Sequence, residues 1–126
     1  MDKSTVIIEK GVHIGEKAFL EEYVIIRGST NVGNRCRIRS HTVIYTGNTI
    51  GDNFSSGHGV LIRENNWIGN NVSIGSHSII EHDVSIGNGC RIHSNVFIPE
   101  FCVLEDHCWI GPGVVLTNAK YPHSPV

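Results

Sequence analysis

The sequence predicts an all-β chain wound into a parallel β-helix of about six turns, each of 18 residues. Three observations carry this. Stepping by six from Ile8 to Leu116 visits nineteen positions; all but Ser56 hold Ile, Leu or Val, and no insertion breaks the phase. The next residue in the hexad is glycine eight times: Gly15, Gly33, Gly51, Gly57, Gly69, Gly75, Gly87 and Gly111. Four residues after each aliphatic position the side chain is usually small, as at Val12, Ala18, Cys36, Val60, Ser78 and Val114.

A period of six fits neither a helix at 3.6 residues per turn nor a simply alternating strand. It fits flat sides joined by tight corners, with one bulky residue per side pointing inward. Ile8 sets the first side, Ile14 the second and Leu20 the third. Ile26 then returns to the first, and the order repeats through Ile44, Ile62, Ile80 and Ile98. Turns stacked at ~4.8 Å make a prism roughly 30 Å tall. The glycine after each aliphatic residue is expected to supply the positive φ of a sharp corner. A buried aliphatic side chain contributes ~1.5–3 kcal/mol, most of it offset by ordering the chain. The one break falls in "DNFSSGHG", where Phe54 and Ser56 exchange the large and small inward positions, expected to be a local packing swap.

A chain of 126 residues suits one domain with a modest interior. Charged residues make up only 17% and the net charge is −2, so the basic footprint of a nucleic-acid binder is missing. No apolar run approaches the ~18 residues of a membrane span. Met1-Asp2-Lys3-Ser4-Thr5 lacks a signal-peptide core, which makes a cytoplasmic protein the expectation.

Cys36, Cys90, Cys102 and Cys108 all fall in the small inward slot and form no CxxC pair. They are read as reduced thiols serving as small hydrophobes, not as metal ligands. The histidines say more. Residues 18 apart stack, so Glu64, His82, Glu100 and Asn118 form one polar column at an outward corner. His41 and His77 share another, with Gly59 between them and Asn95 above. A histidine ~5 Å from carboxylates above and below should have a raised pKa, which suits a proton acceptor near neutrality.

The stretches "RIHSNVFI", "VLEDHCWIGP" and "VLTNAKYP" make the chain resemble the left-handed β-helix (hexapeptide-repeat) acyltransferases. Within them it is most similar to the N-acetyltransferases of nucleotide-linked amino sugars in polysaccharide pathways. The left hand of the coil comes from this resemblance. So does a homotrimer with its active sites between neighbouring prisms and acetyl-CoA, the acyl donor, lying along each cleft. The resemblance implies that Asn118 hydrogen-bonds the amino sugar and that Ser94 and Asn95 face the site. Such relatives often lack a dedicated protein base, leaving His82 as base or as polar wall. The expected catalytic residues are therefore His82 and Asn118. Those expected to bind substrate are Glu64, Ser94, Asn95, Glu100 and Asn118; no metal is expected. Uncharged amine, positioned thioester and N–H donors at the corners would suffice for acyl transfer.

Two departures stand out. Pro122 is followed by His123-Ser124 where relatives usually carry Arg, and the chain stops where relatives continue into a loop and further coils. The expected division is a β-helix over 1–118 and the start of a departing loop at 119–126. One alternative is a zinc hydratase like the γ-class carbonic anhydrases, since His77 and His82 have the five-residue spacing of two of its ligands. Against it, the position one turn below His82 holds Glu64, and His41 lies ~10 Å from His77. The other alternative is a non-catalytic trimeric scaffold.

Overall fold

The computed structural model describes residues 4–119. Eighteen strands of two residues each build three parallel sheets of six strands. Sheet A holds Ile7–Ile8, Ile25–Ile26, Val43–Ile44, Leu61–Ile62, Ile79–Ile80 and Phe97–Ile98. Sheet B begins at His13–Ile14 and ends at Val103–Leu104; sheet C begins at Phe19–Leu20 and ends at Trp109–Ile110. Every pairing joins a residue to the one 18 later, as in Leu61 to Ile79 and Ile62 to Ile80. Val115 adds a parallel bridge to Phe97.

From the second strand on, the second residue of each strand points inward, so the step-of-six aliphatics from Ile14 onward form the core, while Ile8 on the first turn is exposed. The exchange at the break is real: Phe54 is fully buried and Ser56 is 1% exposed. Ser56 Oγ accepts the Arg39 N–H at 3.3 Å, which satisfies a hydroxyl where an isoleucine would otherwise stand.

The corners work differently from expectation. Among the described residues, all eighteen with positive φ lie three places after the inward one, and thirteen are not glycine. They stack as columns, for example Tyr23, His41, Gly59, His77, Asn95 and Gly113. Five are Asn or Asp, which tolerate this conformation best. The glycine directly after the inward residue is there for space at every such position except Gly111, where a Cβ would meet nothing. A Cβ on Gly33 would come within 2.8 Å of the Asp52 backbone nitrogen and closer still to the Asp52 carboxylate, which folds over from the turn above. That carboxylate accepts the Asn34 N–H at 2.8 Å. Asn70, Asn88 and Asp106 repeat the contact to the turn below, forming a side-chain ladder along the corner between sheets B and C.

A second ladder lies inside the corner between sheets A and B. Asn48 and Asn66 are buried, and their amides donate to the carbonyl of Arg63 at 2.7 and 3.0 Å. Their oxygens accept the N–H groups of Asn66 and Val84. This polar core is fully satisfied among the described residues. The expected loop falls almost wholly on residues 120–126, outside the described residues.

Candidate active site

The corner between sheets A and B carries the expected column. Asn118 lies over Glu100 and donates from Nδ2 to the Glu100 carbonyl at 2.8 Å and to its Oε1 at 2.7 Å. Glu100, Asn118, Thr117, Phe97 and Pro99 line a shallow cleft of about 440 Å³. One turn below Glu100, His82 Nδ1 meets Asp83 Oδ2 at 2.8 Å, and its ring packs edge-on against Phe101 with centroids 5.3 Å apart.

Asp83 is the residue that sequence reasoning missed. Its backbone sits at φ 55°, in the left-handed region of the corner, and its carboxylate reaches the neighbouring imidazole. The stacking logic compared residues 18 apart and so overlooked a partner one place along; the adjacent "HD" was the available signal. The contact changes the electrostatic account as well. The His82 pKa is raised, first by its hydrogen bond to Asp83, with the charges of Asp83, Glu100 and Glu81 adding and partial burial opposing. Glu64, expected to contribute from below, instead pairs with Arg63 at 3.1 Å. The Arg63 guanidinium lies 4.9 Å over the Tyr45 ring. The buried amides of Asn48 and Asn66 hold the Arg63 carbonyl from behind, so the wall of the site is fixed by the interior ladder.

Ser94 and Asn95 stand at a different corner, between sheets C and A, so a single chain does not bring them to His82. Ser94 lines a separate shallow cleft with Arg91 and His93. His41 stacks on Tyr23 at 5.1 Å, and His77 packs over Gly59. Among the described residues, no three His, Cys, Asp or Glu side chains come close enough to hold a metal ion. Cys90 and Cys102 have their thiol pKa values pushed up by burial, against nucleophilic use.

The sequence pattern described as bacterial transferase hexapeptide (six repeats) matches residues 5–46 and 67–100. The chain belongs to the bacterial hexapeptide transferase family. Solved structures agree on the fold. The acetyltransferase domain of PglB from Neisseria gonorrhoeae superposes with a TM-score of 0.82 at 17% identity, over 87% of this chain and 53% of that one. The same domain in complex with acetyl coenzyme A gives 0.74 at 15% identity, over 88% and 53%. PerB from Caulobacter crescentus, in complex with CoA and GDP-perosamine, gives 0.68 at 14% identity, over 86% and 49%. This hexapeptide transferase thus spans about half the length of each of them. No curated protein sequence matches it. Among the described residues, no helix is long and apolar enough to cross a membrane.

Proposed function

We propose that this hexapeptide transferase is the β-helix module of an acyl-CoA-dependent N-acetyltransferase that acylates the amino group of a nucleotide-linked amino sugar. The observation that carries the reading is the His82–Asp83 contact one turn below Asn118, on an open corner. With Asp83 accepting from Nδ1–H, His82 keeps its Nε2 lone pair for the substrate amine. Both Asn118 bonds to Glu100 use Nδ2, so Oδ1 is left to accept an amine N–H. The amine then attacks the thioester carbonyl, a C–N bond forms, the C–S bond breaks and CoA leaves as thiolate. The amine proton passes to His82 Nε2 and on to solvent or the leaving thiolate. Glu64, Ser94, Asn95 and Glu100 serve as substrate-binding residues.

A left-handed coil and a homotrimer belong to the same proposal. Support for the trimer comes from the outer face of sheet A, where Ile7, Ile25, Val43, Leu61, Ile79, Phe97 and Val115 form an unbroken apolar column. Sheets B and C instead interrupt their outer columns with polar residues such as Asn31, Thr49, Arg37 and Ser73. Packing three copies through face A around a threefold axis sets the A–B corner of one prism beside the C–A corner of the next. Ser94 and Asn95 of one copy then approach Glu64, His82, Glu100 and Asn118 of its neighbour. A β-helix over 1–118 with a loop starting at 119, and a cytoplasmic setting where acetyl-CoA is available, complete the reading.

The test is a panel of nucleotide-linked amino sugars offered with acetyl-CoA, with release of free thiol followed. Sugar-dependent release that is lost in His82→Asn supports the proposal. Absence of both thiol release and acetyl-CoA binding, in this chain and in any longer natural form, would overturn the proposal in favour of a non-catalytic module.

A further inference from the structure

Six arginines occur in the chain. Three are neutralised by glutamates: Arg27 by Glu9 at 2.9 Å, Arg39 by Glu21 at 3.1 Å and Arg63 by Glu64 at 3.1 Å. Arg35, Arg37 and Arg91 have no ion pair among the described residues, and all three lie on sheet C or in the corner leading into it. Two of them converge with Lys17 in a cleft of about 470 Å³, together with Phe19, Asn53 and Ser55. No carboxylate lines it.

The cluster is held in place. Arg35 Nε donates to Asn53 Oδ1 at 2.8 Å, and Asn53 Nδ2 donates in turn to Asn71 Oδ1 at 2.9 Å. Arg35 is thereby braced from its inner nitrogen, leaving its terminal nitrogens without an assigned partner. The Arg37 guanidinium lies 5.8 Å over the Phe19 ring, which is 40% exposed at the edge of the cleft. Lys17, Arg35 and Asn53 share one stacked column, each at a φ of 59–60°. Three like charges gathered without a counterion repel one another, in a chain whose net charge is −2. A multiply charged anion relieves that repulsion, and guanidinium forks match phosphate oxygens.

We propose that this cleft binds the diphosphate of a nucleotide, with Arg35 and Arg37 holding phosphate oxygens, Lys17 adding a third positive charge and Phe19 facing the base. The site lies on sheet C, away from the His82 corner, and the inference does not rest on the acyl-transfer reading. A free nucleoside diphosphate and coenzyme A both carry this chemistry.

Calorimetry with pyrophosphate, UDP and coenzyme A, at low and high salt, tests the proposal on wild type and on an Arg35→Asn/Arg37→Ser double variant. Asn and Ser already stand next in those two columns, at Asn53 and Ser55, so the substitutions suit the coil. The expected result is binding of pyrophosphate and UDP that weakens with salt and falls at least tenfold in the double variant, with the melting temperature unchanged. UDP should bind several-fold tighter than pyrophosphate, and Phe19→Ser should abolish that difference. Coenzyme A binding above UDP, with the same arginine dependence, identifies coenzyme A as the source of the diphosphate; the reverse order identifies a nucleoside diphosphate. Failure of wild type to bind either pyrophosphate or UDP, or binding unchanged by the double variant, overturns it. His82→Asn retains this binding, which keeps failure here distinct from failure of the acyl-transfer proposal.

Discussion

Asp83 Oδ2 lies 2.8 Å from His82 Nδ1, across two adjacent residues at a corner where the chain turns through a positive φ. Side chains of sequence neighbours in a strand point to opposite faces; the left-handed turn at Asp83 is what lets these two meet. The pair turns a half-buried histidine into an oriented one.

This has a consequence for pH. Asp83 stabilises the imidazolium and so raises the His82 pKa. A base must be unprotonated to act, so kcat/KM should fall as pH drops through that raised value. In Asp83→Asn the break should move to lower pH while the rate on the high-pH plateau declines, because the ring loses its orientation. A pH–rate profile of both proteins checks this; an unmoved break would remove Asp83 from the site.

Asn118→Ala should lower kcat/KM by ~10-fold or more, as expected for loss of an orienting contact. Asn118 is exposed, so its melting temperature should stay within a degree or two of wild type. Steady-state kinetics against the sugar nucleotide decide the matter, and unchanged kinetics would exclude the role.

Leu61→Glu places a charge in the middle of the apolar column on sheet A. Light scattering coupled to gel filtration should find a trimer for wild type and a monomer for the variant. Because the Leu61 side chain points outward, circular dichroism should keep its β-sheet form. A monomeric wild type would refute the packing.

Asn66→Ala removes an amide donating to the Arg63 carbonyl and an oxygen accepting from the Val84 N–H. The Arg63 carbonyl keeps its bond from Asn48, but the Val84 N–H is left buried and unpartnered, which should cost about 1–3 kcal/mol, read as a lower denaturant midpoint. Gly33→Ala, which forces a methyl against Asp52, should cost about 1–3 kcal/mol by overpacking.

The hexad phase alone specified the fold's repeat, because a coil with one inward aliphatic side chain every sixth residue has a single register that buries them all. Stacking at 18 residues followed, and with it the column of Glu64, His82, Glu100 and Asn118. The Phe54–Ser56 exchange was legible for the same reason, since volume must be conserved inside a closed prism.

What the repeat did not reveal depends on side-chain direction at the corners. Glycine looked like the corner residue, yet the positive φ falls two places later, and close approach of Asp52 and its equivalents explains the glycine. Asn48 and Asn66 look like surface residues by type, but only a closed coil offers them the inward carbonyls and N–H groups they bridge. Likewise, the periodic sequence sets which residues stack, whereas the backbone turn decides that His82 reaches Asp83, that Glu64 turns to Arg63, and that Ser94 and Asn95 sit at another corner. Periodicity encodes distance along the prism; direction around each corner is fixed only once the three sheets close on one core.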